Sequence, residues 1–200
     1  MPDRARPRDL PVRAPELWSA ATRAPFLDGV RDGSLPAAVL DAWLAQDAHF
    51  LADLLAFQSR LVARAPRRAQ GVLARGAVAL VDELDWFDRL AGDRGLDLAV
   101  ARTAPTVAYA ELLDRLDAAP YGDAVACLWV VERVYLDAWT SALPGGPSTR
   151  ELVEHWTTPG FAAYVAALEE LADEGPADEA LLHAVLRAEA AFWPAPAATA

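Results

Sequence analysis

Residues 121–142, with the sequence YGDAVACLWVVERVYLDAWTSA, decide the fold of this chain. Eight successive residues within this stretch, 124–131, carry no charge, and a proline stands on each side of it, at Pro120 and Pro144. Apolar and polar residues do not alternate here as they would in a half-buried strand. A helix with apolar residues on every side is typical of one that other helices surround. The sequence therefore predicts a central helix inside a helical bundle.

The stretches on either side have the composition and period of amphipathic helices. Alanine and leucine, with 45 and 28 residues, have high helix propensity, and proline or glycine separates the apolar stripes. We predict an all-α, single-domain bundle of about seven helices over residues 15–194, flanked by a flexible arm (1–14) and a short tail (195–200). The predicted helices span 16–23, 36–65, 67–90, 105–118, 121–142, 148–171 with a kink at 159–160, and 177–193, and a turn is predicted at 25–31.

The charge of the chain excludes several classes of function. All 18 basic residues are arginine, against 29 acidic residues, so the net charge is −11 and the pI is about 4.6. Because nucleic acids and anionic membranes bind clustered positive charge, we expect neither as a partner. The absence of lysine excludes a Schiff-base lysine and a pyridoxal-phosphate anchor. No uncharged apolar run reaches the length of a membrane span or resembles a secretion signal, and we predict a cytoplasmic protein.

Three carboxylates lie where an apolar stripe would otherwise be continuous. Asp47, Glu83 and Glu189 each have apolar neighbours three or four positions away, on the same helix face. The single cysteine, Cys127, lies in the apolar centre of the predicted central helix. If the helices converge, these residues would supply a nucleophile, an anchoring acid and a proton donor to one site. In the alternative interpretation each carboxylate is held by an arginine or a backbone amide, and Cys127 is an ordinary core residue.

The pattern of histidines and cysteines disfavours a metal centre. Helical bundles often bind metals through Glu-x-x-His pairs, but no histidine follows Glu83, Glu132 or Glu189 at that spacing. One cysteine cannot form a multi-thiolate site. We therefore predict no metal, no haem and no other cofactor.

Several short motifs occur in an order that resembles the TenA family, which comprises thiaminase II and its relatives. The resemblance covers residues 16–193 and implies the haem-oxygenase-like helical fold, without haem, and a homo-oligomer, either a tetramer or a dimer. The residues that carry it are Leu17-Trp18, Pro25-Phe26, 32–36 (DGSLP), Gln46-Asp47, 106–109 (TVAY), Cys127-x-Trp129 and Glu189-x-x-Phe192-Trp193.

The resemblance also implies a function and residue roles. Family members of the cysteine type hydrolyse aminopyrimidines for thiamine salvage, and some cleave thiamine. By position, Cys127 matches their nucleophile, Glu189 the acid that moves protons, and Asp47 the carboxylate that holds the amino-pyrimidine edge. Tyr109 matches a tyrosine of the pocket. A small-molecule ligand would then bind in the bundle core, with Glu83, Trp129 and Trp193 supporting the site from outside.

This sequence departs from the family at three positions around the expected ligand. Where the family has tyrosine, the chain has Phe50, Val131 and Trp156. Phe50 lacks a hydroxyl that would hydrogen-bond toward Cys127, and the lost hydroxyls favour a more apolar or larger ligand. Two alternatives to a hydrolase remain. One is a family member that binds or regulates without catalysis, and the other, less favoured, is a metal oxidase on the same fold.

Overall fold

The computed structural model describes residues 3–194. The predicted central helix lies in the middle of the bundle that they form. This helix, α7 (Tyr121–Ser141), is buried without interruption from Asp123 to Glu132. Helices α2, α4, α6, α9 and α10 pack around it, and α5 packs along α4 on the outside. The prediction of an all-α bundle is confirmed. A helix that is apolar on every side is stable in water only when other helices cover its surface.

Proline and glycine end the helices much as the sequence predicts. Gly33 and Gly95 follow the ends of α3 and α5 with φ angles of 78° and 69°, a left-handed conformation that glycine adopts without strain. The helices are α1 (Leu10–Arg13), α2 (Pro15–Thr22), α3 (Pro25–Asp32), α4 (Ala37–Arg64), α5 (Arg67–Arg94), α6 (Ala104–Ala118), α7 (Tyr121–Ser141), α8 (Arg150–Trp156), α9 (Pro159–Ala172) and α10 (Glu179–Phe192).

Two of the predicted boundaries were wrong. The predicted turn at 25–31 is the two-turn helix α3, which Pro25 begins and whose Phe26 is buried. The predicted single helix 148–171 is broken into α8 and α9 rather than kinked. The Thr158 hydroxyl accepts a hydrogen bond from the Phe161 amide at 3.2 Å, and Pro159 takes the first helical position, so a new helix begins there.

The N-terminal segment packs onto the bundle, where the sequence analysis expects a flexible arm. Residues Arg4–Ala5 (β1) pair antiparallel with Ala177–Asp178 (β2), and a short 3₁₀ turn and α1 follow. The Leu10 side chain is fully buried, and the Arg4 guanidinium lies 2.9 Å from the carboxylate of Asp123 at the start of α7. The prolines of this segment interrupt its secondary structure but do not prevent its burial. Residues 1–2 of the expected arm and the expected tail, 195–200, lie outside the described residues.

Within residues 3–194, no helix combines the length and the apolar character that a membrane crossing requires.

The buried position of Leu10 gives a test of the N-terminal packing. We expect Leu10→Ala to lower the free energy of unfolding by about 2–4 kcal/mol, because it leaves a cavity in the core. Val12→Ala, at a position that is 84% exposed, is the matched control and should cost less than about 0.5 kcal/mol. Urea unfolding followed by circular dichroism measures both. Equal stabilities of the two variants would contradict the packing described here.

Candidate active site

A cavity of about 650 Å³ lies between α4, α5, α7 and α9, with α8 at its edge. Its walls are mostly apolar and aromatic, and we call it the acidic cavity because two glutamates, Glu83 and Glu132, line it. Its other polar lining residues are Arg75, Tyr135, His155, Thr158 and Tyr164.

Glu132 is the carboxylate of this cavity that has no partner. The residue is only 7% exposed, and no hydrogen bond or ion pair to it occurs within residues 3–194. Burial raises the pKa of its carboxyl to about 8, and the neighbouring Glu189 and Glu83 contribute to the increase. Glu132 therefore changes between its acid and its base form near neutral pH, which is the property of a general acid or base.

Glu83, in contrast, is held by two residues of α8. One of its carboxylate oxygens accepts a hydrogen bond from the Trp156 indole N–H at 2.7 Å, and the other lies 2.7 Å from Nε2 of His155. The His155 ring stacks on Trp86, with the ring centroids 4.0 Å apart. Because both oxygens are occupied, Glu83 and His155 form a fixed pair at the cavity wall. The sequence gives no sign of this pair, because the two residues lie on different helices.

Asp47 and Glu189 lie behind the residues that line the cavity. The Tyr135 hydroxyl, which does line it, donates to Asp47 Oδ2 at 3.3 Å, while Asp47 Oδ1 is buried without a partner in the described part of the chain. Burial raises the pKa of Asp47 well above its usual range, with Glu83 as the next cause. Burial also raises the pKa of Glu189 to about 8, although a hydrogen bond from Tyr109 opposes the increase.

The structure does not place the expected nucleophile, Cys127, at this cavity. The thiol is completely buried, and it is absent from the cavity lining, which begins on α7 one turn later, at Val131. Burial raises its pKa, and the nearby carboxylates of Asp123 and Asp178 raise it further. A reactive cysteine needs neighbours that stabilise the thiolate, and these neighbours do the opposite.

The positions that differ from the family pattern do form the cavity wall. Phe50, Val131 and Trp156 all line it, and their contact with a ligand stays a prediction. The Phe50 ring packs against the ring of Tyr109, with centroids 4.6 Å apart. Tyr109 is therefore near the site but behind Phe50.

The two tryptophans expected to support the site lie away from the cavity lining. Trp193 donates from its indole N–H to the backbone oxygen of Ala21 at 2.7 Å, which fixes the end of α10 against α2. Trp129 is buried in the core, and its indole N–H has no partner among residues 3–194. Both are structural residues of the bundle.

Sequence reasoning missed Glu132 and Tyr164 as site residues. Glu132 directly follows the eight uncharged residues of α7, so it is a charge at the edge of the most buried stretch of the chain. A charge at this position is a sign of a functional residue. It is hard to recognise in the sequence, because α7 lacks the regular polar stripe that would show Glu132 to be on the buried side. Tyr164 had no comparable signal, because only the packing of α9 on α7 brings it to the cavity.

No group of three or more histidine, cysteine or acidic side chains in the described part of the chain is arranged to hold a metal ion.

Fold and site together define an all-α protein of the haem-oxygenase-like type with an acidic cavity beside its central helix. Comparison with known families makes this specific, since the sequence profile of the TENA/THI-4/PQQC family matches residues 13–197. The chain belongs to this family.

Individual relatives agree with this assignment. A Glycine max protein named "Probable bifunctional TENA-E protein" is 28% identical, and the match covers 88% of this chain and 86% of that protein. The crystal structure of a TenA homologue from Pyrococcus furiosus has a TM-score of 0.82 at 20% identity and covers 93% of this chain and 97% of its own. A "putative tena-like thiaminase" from Sulfolobus solfataricus has a TM-score of 0.76 at 18% identity, with 89% and 88% covered.

The raised pKa of Glu132 predicts how stability depends on pH. The folded protein keeps the proton of this carboxyl up to about pH 8, whereas the unfolded chain loses it near pH 4.3. The stabilisation is thus complete below about pH 4.3 and is lost as the pH rises to about 8, at up to about 1.4 kcal/mol per pH unit. We expect Glu132→Gln to reduce the fall in the free energy of unfolding between pH 5.5 and pH 8.

Urea unfolding at several pH values measures this slope. Glu111→Gln on α6 is the matched control, because Glu111 is exposed, and the slope should remain that of the wild type. A Glu132→Gln variant with an unchanged slope would show that Glu132 ionises normally in the folded protein.

Proposed function

We propose that this protein hydrolyses an aminopyrimidine or a related small amine in the acidic cavity, in the thiamine-related chemistry of its family. The observation that carries the proposal is the partnerless, buried Glu132 carboxyl at a cavity with aromatic walls. Membership of the TENA/THI-4/PQQC family and the thiaminase name of the Sulfolobus structure support the choice of substrate.

The residues of the cavity suit a flat, basic ring. Phe50, Trp156 and Tyr135 offer aromatic surfaces against which a heteroaromatic ring can pack. The Glu132 carboxylate can pair with a protonated ring nitrogen or an exocyclic amine, since a charge-assisted hydrogen bond is stronger than a neutral one. Beside Glu132, a neutral or cationic group of the ligand is therefore favoured over an anionic one.

The chemistry can proceed with Glu132 as both acid and base. Hydrolysis breaks the carbon–nitrogen bond to the leaving amine and forms a carbon–oxygen bond to water. Glu132 gives a proton to the leaving nitrogen and takes one from the attacking water, so the carboxyl is regenerated after each cycle. A pKa of about 8 suits both transfers near neutral pH, and general acid–base catalysis of this kind contributes about 10²–10⁴-fold to a rate.

The other interior residues take supporting roles in this proposal. Asp47 acts through Tyr135, whose hydroxyl it holds. Glu189 and Glu83 raise the proton affinity of Glu132. Cys127, the nucleophile implied by the family resemblance, is not needed. A cytoplasmic location and a homo-oligomeric state remain proposals from the sequence, and size-exclusion chromatography with light scattering tests the latter.

Comparing two variants tests the role of Glu132. The wild type is incubated with thiamine and with an aminomethyl-substituted aminopyrimidine, and release of the product is followed by chromatography. We expect Glu132→Gln, which keeps the shape of the side chain, to lower kcat at least 100-fold. Cys127→Ala should retain more than half of the wild-type rate.

The opposite result, loss of activity in Cys127→Ala with activity kept in Glu132→Gln, would restore the cysteine mechanism. If the wild type turns over neither compound but binds one of them, the protein is a binding member of the family instead of a hydrolase.

A further inference from the structure

Gly76 on α5 is a position where only a hydrogen atom fits. A Cβ atom placed there would lie 2.2 Å from Nε2 of Gln58 and 2.2 Å from the hydroxyl oxygen of Tyr164. Both distances are far below any real contact of a methyl carbon. Gly71, one turn and a half earlier on the same helix, has room, because its nearest neighbour would be an Arg75 nitrogen at 3.7 Å. The missing side chain at Gly76 therefore allows Gln58 and Tyr164 to meet at the wall of the acidic cavity.

Gln58 has one orientation in this contact. Its Nε2 donates to the backbone oxygen of Leu73 at 2.8 Å and to the Tyr164 hydroxyl at 2.9 Å. The reversed amide would place an oxygen against the Leu73 oxygen, which is unfavourable, so the amide nitrogen faces both acceptors. Gln58 is completely buried, and its Oε1 has no partner among the described residues. This orientation of Gln58 therefore leaves its buried side-chain carbonyl without a hydrogen bond.

The Tyr164 hydroxyl consequently has a hydrogen to give. Its oxygen accepts the bond from Gln58, and its own hydrogen has no acceptor within residues 3–194. Tyr164 lines the cavity, as Glu132 does. Burial raises the pKa of the Tyr164 hydroxyl well above its usual value, and Glu132 raises it further, so it stays protonated at neutral pH. Tyr164 thereby adds a neutral donor to a cavity that already holds the carboxyl of Glu132 and the guanidinium of Arg75.

We propose that Tyr164 donates a hydrogen bond to an acceptor atom of the ligand, such as a ring nitrogen, and that Gln58 and Gly76 position it for this purpose. The inference rests on the acidic cavity being the ligand site of the proposed function. It gives that site a hydroxyl in place of those absent at Phe50, Val131 and Trp156. Tyr164 is thus a specificity residue, and Gln58 and Gly76 are positioning residues.

Two small ligands that differ in the acceptor atoms test the donor. 4-Amino-2-methylpyrimidine has ring nitrogens, and 3-methylaniline has the same shape without them. We expect Tyr164→Phe to weaken binding of the pyrimidine by roughly five- to tenfold, as the loss of one neutral hydrogen bond implies. Its affinity for 3-methylaniline should not change. Isothermal titration calorimetry measures both affinities, and Tyr121→Phe, at a half-buried tyrosine outside the cavity lining, is the matched control.

Equal losses for both ligands, or no loss for the pyrimidine, would overturn the role of Tyr164. Binding is measured without turnover. A protein that binds as expected but releases no product would therefore contradict the hydrolase proposal and leave the role of Tyr164 intact. If the protein turns over the pyrimidine substrate but Tyr164→Phe does not change its affinity, the role of Tyr164 as a donor is contradicted and the hydrolase proposal stands. Failure of the wild type to bind either ring overturns the ligand class on which both rest.

A second set of variants tests the positioning residues. Gly76→Ala should weaken pyrimidine binding about as much as Tyr164→Phe, and the double variant should be no weaker than Gly76→Ala, because both changes remove one interaction. Gly71→Ala is the matched control and should leave binding unchanged, with equal or greater thermal stability. Losses that add in the double variant would show that Gly76 does not act through Tyr164.

Discussion

Four carboxyl groups share the interior of this bundle without a buried arginine beside them. Asp47, Glu83, Glu132 and Glu189 influence one another electrostatically, and no ion pair with arginine reaches any of them within residues 3–194. In this interior of low polarity, burial raises the pKa of Asp47, Glu132 and Glu189, so these three carboxyls hold their protons more tightly than usual. The interior meets this constraint with donors from neutral side chains, namely Tyr109, Tyr135 and Trp156. Glu132 alone among the four has no such donor in the described part of the chain, and it gives the cavity an unpaired acidic group.

The sequence predicts the long helices because their apolar period is sustained over many turns. It fails at short elements, where few residues define the period. The expected arm illustrates the reason, since its prolines indicate irregular backbone, whereas its packing depends on a few separate apolar residues such as Ala5 and Leu10. Likewise, the break before Pro159 depends on a capping hydroxyl, and a proline-glycine pair is equally compatible with a kink.

The sequence predicts which types of residue lie in the interior better than it predicts where along the helices the cavity lies. A carboxylate inside an apolar stripe is a valid signal, and Asp47, Glu83 and Glu189 do gather in one interior region. Periodicity gives the face of a helix but not the depth at which a cavity opens along it. The cavity lining on α7 begins at Val131, one turn beyond Cys127, and that single turn separates the thiol from the cavity. Contacts such as that of Gln58 with Tyr164 join residues 106 positions apart, which helical periodicity cannot reveal.

The tight contact at Gly76 also constrains how this cavity can change over evolutionary time. Any other residue at position 76 would displace two partners at once, so a substitution there disturbs Gln58 and Tyr164 together. The opposite wall, with Phe50 and Val131, has no such requirement and can exchange one apolar side chain for another of different size. Divergence of ligand preference is therefore expected to accumulate on α4 and α7, while α5 keeps its glycine.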